Sequence, residues 1–299
     1  MRENKVVYGL IGYGGMGRWH TEILSNVPEA VIGGIYDIKE EKREEAKEKG
    51  FFVYETEEAM LADPDIDVVL IATPNDCHKP IAIRAMHAGK NVISEKPVTL
   101  SSADLLEMEN AAKETGKLLT VHQNRRWDDD FLIIKKLVEE QKLGHVFRIE
   151  SRVHGSRGIP GDWRKEKVHG GGMVLDWGVH LLDQILYMYG DRKIETVYAS
   201  LTNVTNQEVD DGFTAILTFE GGTEVLVEVG TNNYISLPRW YVLGEDGTAV
   251  IRDWQLNGEI IRKTGMTEET VVPVKTAAGL TKTMAPRRED TDRKSTRLN

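Results

Sequence analysis

Short apolar runs alternate with amphipathic stretches from residue 5 to about residue 121, and that alternation predicts parallel strands joined by crossover helices. Strands are expected at 5–11, 30–36, 51–54, 67–72, 91–95 and 118–121, with helices at 15–26, 40–49, 80–87 and 102–115 between them. Ser101 and Asp104 have the form of a capping box at the start of the last helix, and Gly116 stands where a left-handed C-terminal residue is usual. After residue 121 the rhythm changes. A helix over 131–141, a strand over 146–153 and a glycine-rich approach to a helix over 173–189 precede strands at 195–204, 212–219, 223–229, 239–243, 248–251 and 270–274. Turns such as Glu220-Gly221-Gly222 and Glu245-Asp246-Gly247 separate them, which predicts a mostly antiparallel open sheet. The fold class is therefore α/β over residues 1–121, followed by α+β over 122–299.

Length agrees with this division, because 299 residues exceed a comfortable single core. The balance of 38 basic against 48 acidic residues, a net charge of −10, opposes binding to nucleic acid or to anionic membranes. The charge run over 39–49 alternates in sign at helical spacing and reads as a solvated helix face. Cys77 is the single cysteine, so neither an intramolecular disulfide nor a thiolate metal cluster is expected. The eight histidines show no ligand spacing, and no metal is expected. With no signal-peptide series and no apolar stretch of bilayer length, a cytoplasmic location is expected.

The first strand runs into Gly12-Tyr13-Gly14-Gly15-Met16-Gly17, which has the spacing of a dinucleotide fingerprint between a strand and a helix. Gly12 permits the tight turn, Gly14 lets a pyrophosphate approach the backbone, and Gly17 lets helix and strand pack closely. Asp37 follows Gly17 by twenty residues at the end of the second strand, placed to accept from both ribose hydroxyls and to repel an added phosphate. NAD is therefore expected, with NADP not excluded because Lys39 or Arg43 stands near enough to meet a phosphate. Thr73, Pro74, Asn75 and His78 leave another strand end, where ligands of parallel sheets bind; an Asn turn capping a helix is the alternative for this segment.

Glu95 and Lys96 occupy the next strand end, where both are expected at the cofactor, with Pro97 restricting the backbone behind them. An ammonium there can polarise a substrate oxygen, although a strand-end lysine is often only a surface charge. Asp176 and His180 stand four residues apart, so on a helix they share one face and the carboxylate can support an imidazolium. A structural role for that pair is the alternative.

Together, the fingerprint at 12–17, Glu95-Lys96-Pro97-Val98, and Gly170-Gly171-Gly172 followed by Asp176-Trp177-Gly178-Val179-His180-Leu181-Leu182-Asp183 resemble the Gfo/Idh/MocA oxidoreductases. The resemblance spans nearly the whole chain. It implies a Rossmann domain and a second domain whose open sheet mediates a homo-oligomer, a dimer or tetramer. It also implies a catalytic lysine, aspartate and histidine at Lys96, Asp176 and His180. The segment 122–131 resembles the inositol- and sugar-dehydrogenase branch. Gln123 is then expected at the cofactor, and Arg126, Trp127, Trp163 and Arg164 at the substrate, unless the tryptophans serve only packing.

In the mechanism this implies, His180 removes a hydroxyl proton, Asp176 supports the imidazolium, Lys96 bonds the developing alkoxide, and hydride passes to NAD. The expected substrate is a polyol or sugar. The alternatives are a redox-neutral glycosidase or epimerase working through a transient ketone, and a non-catalytic NAD-sensing module. Residues 290–299 have neither strand nor helix pattern, and 292–299 resemble translated sequencing-adapter read-through, so a truncated second domain is expected.

Overall fold

Val6–Ile11 (β1), Ala30–Tyr36 (β2), Val68–Ile71 (β3), Asn91–Ser94 (β4) and Leu119–Val121 (β5) form an all-parallel sheet in the order β2-β1-β3-β4-β5. The computed structural model describes residues 4–263 and, beyond them, only the backbone of three strands at Val272–Thr276, Gly279–Thr283 and Thr291–Arg297. The chain divides into two compact units, one of residues 1–123 with 160–179, the other of residues 124–159 with 180–299. The expected single boundary near residue 121 thus becomes three crossings, with 160–179 clustering with the N-terminal unit.

The strands of the first unit read as continuous apolar runs because both faces of a parallel sheet are covered. Alternation divides them: Val7, Ile11, Val69 and Ile71 enter one core with Met60, Met86, Val92 and Met108, while Leu10, Ile35 and Leu70 enter another with Tyr13 and Ala46. Each fully buried aliphatic side chain contributes about 1.5–3 kcal/mol relative to exposure. Gly15–Leu24 (α1), Glu40–Glu48 (α2), His78–His87 (α4) and Ser102–Thr115 (α5) lie where the periodicity places helices. At α5 the Ser101 hydroxyl accepts from the Asp104 amide at 3.1 Å, and Gly116 takes φ 65°, as its capping pattern predicts.

The expected strand at 51–54 shrinks to a bridge between Val53 and Ile35. Phe52 is exposed, and the chain turns at once into Glu57–Ala62 (α3), whose cap is the Thr56 hydroxyl receiving the Ala59 amide. That helix is not expected from periodicity, since six residues carry too little of it. No helix among the described residues is long and apolar enough to cross a membrane.

In the second unit, Asp129–Glu139 (α6) and Val179–Tyr189 (α7) accompany a larger sheet. Its strands are Val146–His154 (β6), Ile194–Thr202 (β7), Gly212–Phe219 (β8), Glu224–Gly230 (β9), Trp240–Gly244 (β10), Gly247–Ile251 (β11), Asn257–Lys263 (β12) and Thr291–Arg297 (β15). They run in the order β15-β12-β11-β10-β6-β9-β8-β7, antiparallel except for the pair β6 and β9. Strict alternation on β8 and β9 buries Phe213, Leu217, Phe219, Val225, Val227 and Val229 on one face. Val272–Thr276 (β13) and Gly279–Thr283 (β14) pair as a separate hairpin, and positions 270–271 of the expected strand lie outside the described residues.

Two departures are corrections. β12 carries one glycine and three charged residues in seven and so lacks a strand pattern. β15, in a segment expected to be patternless, pairs antiparallel with β12 across seven positions. Main-chain hydrogen bonds to a sheet edge need no side-chain pattern, which is why periodicity misses such a strand.

Candidate active site

The glycine turn sits between β1 and α1. Gly12 has φ 97°, and a Cβ there would lie 2.6 Å from the Ala72 carbonyl oxygen; a Cβ on Gly17 would lie 2.1 Å from the Gly12 oxygen. Any side chain at either position would push the strand end and helix apart. At Gly14 and Gly15 a Cβ would meet open space, the room a pyrophosphate needs at the first amides of α1. Tyr13 is buried beneath this turn, and Met16 is partly buried on the first turn of α1.

Asp37 binds the turn to the second strand. Its Oδ2 accepts the Tyr13 amide at 2.7 Å and its Oδ1 the Lys39 amide at 2.8 Å. Each carboxylate oxygen retains lone-pair capacity for a ribose hydroxyl. Arg43 donates to the carbonyls of Asp37 and Ile38, and Glu40 and Glu41 open α2, so the surroundings disfavour an extra phosphate. Asp37→Asn should therefore move the NAD-to-NADP ratio of kcat/KM toward NADP by about tenfold. Initial rates with both cofactors check this.

At the end of β3, Thr73 and Pro74 lead into a short 3-10 turn, Asn75–Cys77. The Asn75 amide donates to the Gly170 carbonyl at 2.8 Å, tying the glycine-rich segment to this strand end. His78 is fully buried, with Nδ1 2.8 Å from the Pro97 oxygen and Nε2 3.0 Å from the Thr73 oxygen. Burial pushes its pKa below the ordinary imidazole value, against the pull of those carbonyls. The ring braces two strand ends and has no face left for the cofactor contact expected of it.

Lys96 follows β4. Its ammonium donates to Asp176 Oδ1 and to the Asp176 carbonyl, both at 2.9 Å. Arg164 Nε lies 3.2 Å from the same Oδ1, and its guanidinium stacks 4.6 Å from the Trp163 ring. Burial alone would raise the pKa of Asp176; the charges of Lys96 and Arg164 overcome this and hold the carboxyl below its usual range. Lys96, Trp163, Arg164 and Asp176 thus form one cluster within the first unit. The negative charge expected to serve an imidazolium at position 180 is shared by two cations that no spacing along the chain pairs with it.

The backbone carrying Asp176 also differs from expectation. Val174–Gly178 is a π turn, and α7 begins only at Val179, so the argument from one regular helical face does not apply between Asp176 and His180. His180 is buried at the start of α7 in the second unit. Arg126, in the same unit, makes a two-point ion pair with Asp183 at 2.8 and 2.6 Å and stacks 4.6 Å over Tyr187, while Trp127 is 76% exposed. Asp183 is therefore the structural carboxylate of that pair.

Three residues gather at Glu95. Its Oε1 lies 2.6 Å from His20 Nε2 and 3.0 Å from His122 Nδ1, and its Oε2 accepts the Lys96 amide at 3.2 Å. Burial opposes the charge, but the hydrogen bonds and charge of His122 and His20 outweigh it and hold the carboxyl well below the usual range. No histidine spacing along the chain predicts a cluster; folding makes one of His20, Glu95 and His122, with three ligand-type atoms within 4.8 Å of one another. His20 lies three residues after Gly17 and so shares its helix face, and His122 directly follows β5; those two positions were the available signals.

A carboxyl depressed in the folded state stabilises fully above its unfolded value, about 4.3 for glutamate, and loses that stabilisation as pH falls through the folded value. The melting-temperature deficit of Glu95→Gln should therefore be largest near neutrality and shrink as pH falls below about 4. Thermal unfolding of both proteins across that range is the check.

The described residues suit NAD. The turn leaves space at Gly14 and Gly15, and Gln123, just past β5, carries a buried Oε1 with no hydrogen-bond partner, an acceptor suited to a carboxamide.

The sequence profile of an oxidoreductase family with an NAD-binding Rossmann fold matches residues 6–123, and that of the Gfo/Idh/MocA C-terminal domain matches residues 131–250. The scyllo-inositol 2-dehydrogenase (NADP(+)) of Bacillus subtilis is 31% identical over 244 residues, 81% of this chain and 67% of the relative. An NAD-binding protein from Listeria innocua, of known crystal structure, is 52% identical with a TM-score of 0.93, over 98% of this chain and 84% of that one. The WlbA dehydrogenase of Bordetella pertussis, crystallised with NADH and UDP-GlcNAcA, is 25% identical with a TM-score of 0.77, over 85% of this chain and 75% of that one. The chain spans only about half the length of several other curated relatives it matches. With both domain profiles aligned in order, and Lys96, Asp176 and the glycine turn built as described, the chain belongs to the Gfo/Idh/MocA oxidoreductase family, with an NAD-binding Rossmann domain at its N-terminus.

Proposed function

We propose that this chain is an NAD-linked dehydrogenase that oxidises a secondary hydroxyl of a cyclitol or monosaccharide. The observation that carries the reading is the Lys96 ammonium at the carboxyl edge of the parallel sheet, 2.9 Å from Asp176 Oδ1 and in the same unit as the glycine turn. Bound NAD supplies a hydride acceptor. Gly12, Gly14, Gly17 and Asp37 hold the dinucleotide, and Gln123 offers its oxygen to the carboxamide. Lys96 donates to the substrate oxygen as negative charge develops there. Asp176 orients that ammonium through two hydrogen bonds. His180, carried over from the family pattern, takes the hydroxyl proton. Trp163 and Arg164 form part of the substrate wall, and Arg126 and Trp127 are proposed for the same role.

The substrate class rests on the relatives, which include inositol dehydrogenases and a dehydrogenase crystallised with a nucleotide sugar. Self-association through the larger sheet is supported by edge strand β7, where Val197, Tyr198 and Leu201 are exposed. A panel of inositols, hexoses and glycosides, each with NAD and NADP, tests the function through absorbance of the reduced cofactor. Accumulation of reduced cofactor with a cyclitol or sugar is the expected result. Turnover of a glycoside or epimer with no net reduction would transfer the chain to the redox-neutral class, and an inert panel would refute both.

A further inference from the structure

We propose that His20 and His122 are positioning residues for Lys96, acting through Glu95. This deepens the dehydrogenase reading above and, for its catalytic consequence, rests on it. An ionised carboxylate only accepts hydrogen bonds, so the nitrogen of each histidine that faces Oε1 carries a proton. His20 uses Nε2 and His122 uses Nδ1, the first from α1 and the second from the end of β5, which pairs with β4, the strand that Glu95 follows. The rings are themselves packed: His20 and His122 lie 4.7 Å apart edge to face, and Trp19 covers both at 5.1 and 5.7 Å. Glu95 is 5% exposed and His20 likewise 5%.

Held on Oε1, the carboxylate presents Oε2 to the Lys96 amide at 3.2 Å. Lys96 is therefore fixed at both ends, its backbone by Glu95 and its ammonium by Asp176. Two histidine-to-carboxylate contacts and one carboxylate-to-amide contact thus set the strand-end geometry from which the ammonium reaches its partner. Displacements of about 1 Å in such a group cost up to about a hundredfold in rate.

The donor atoms dictate the variants. Glutamine places its amide nitrogen near the position of a histidine Nε2, and asparagine near that of Nδ1, so H20Q with H122N preserves both donors, whereas H20A with H122A removes them. Glu95→Gln keeps the shape of the carboxylate and removes its charge. Lys96 is then read by its rate of acylation with an amine-selective reagent, by peptide mass spectrometry, with Lys90 as internal control. Lys90 is also buried, and it donates to the Asp63 and Ile66 carbonyls, remote from this cluster.

Lys96 should acylate at least about fivefold faster in H20A/H122A and in Glu95→Gln, with Lys90 unchanged, and H20Q/H122N should return it to within about twofold of wild type. If wild type reduces NAD, kcat should fall about tenfold or more in the alanine pair, with the KM for NAD nearly constant, and recover in the Gln/Asn pair. Unchanged Lys96 labelling, an equal rise at Lys90, or no recovery in the Gln/Asn pair would overturn the proposal. So would labelling that changes when zinc is added or chelated, because the cluster would then be a metal site. A wild type that reduces no NAD would sink the dehydrogenase reading and leave the labelling result standing on its own.

Discussion

Lys96→Met is expected to lower turnover by about a thousandfold while weakening NAD binding far less. Methionine keeps the length of the lysine stem and removes the ammonium, both its charge and its hydrogen-bond donors. Two losses then coincide. The substrate oxygen has no cation beside it as negative charge develops, and Asp176, four-fifths or more removed from water, keeps Arg164 as its remaining cation in the cluster. Because Lys96 and Asp176 form one hydrogen-bonded pair, the double variant Lys96→Met with Asp176→Asn should lose little beyond the first substitution. Single-turnover reduction of NAD together with cofactor binding by fluorescence separates the two effects. A loss in turnover of less than about tenfold would mean that Lys96 is a structural ion pair and no more.

His180→Ala should reduce turnover by about a hundredfold or more with NAD binding intact, the usual consequence of deleting a general base. The ring is 5% exposed at the head of α7, so its loss also opens a small void. His180→Gln controls for that, since it fills the space and cannot take up a proton. Both variants should be similarly slow. Full activity in the glutamine variant would remove the histidine from the chemistry.

Much of the first unit was legible because parallel strands buried on both faces announce themselves as apolar runs, and glycine spacing marks a turn that tolerates no Cβ at Gly12 or Gly17. The capping box at Ser101 and the left-handed Gly116 were readable for the same reason: each is a local pattern with a local cause. What escaped was non-local. Lys96 and Asp176, 80 positions apart, were expected in one site from the resemblance and not from any spacing; Glu95 meeting His20 across 75 positions and His122 across 27 was not expected at all. No spacing rule connects such residues; sheet order does, by bringing the ends of β4 and β5 and the helix after β1 to one edge. His78 illustrates the reverse error. It stands at a strand end, as a cofactor contact should, yet both nitrogens face backbone carbonyls.

The second unit was legible where one face of a strand is buried and the other wet, as in β8 and β9. It was not at β12, whose seven residues carry one glycine and three charges, nor at β15, which pairs with it. The helix expected over 173–189 was right in place and wrong in kind at its start, since a π turn differs from an α turn by one hydrogen-bond step that hydrophobic period cannot resolve.

The central claim, that this chain moves hydride from a secondary carbinol to a nicotinamide beside Lys96, is tested most directly with a cyclitol or sugar deuterated at the carbon to be oxidised. Mass analysis of the reduced cofactor after one turnover should find the deuterium on its nicotinamide ring, and Lys96→Met should yield almost none in the same interval. Oxidised product accompanied by reduced cofactor that carries no deuterium would contradict the account.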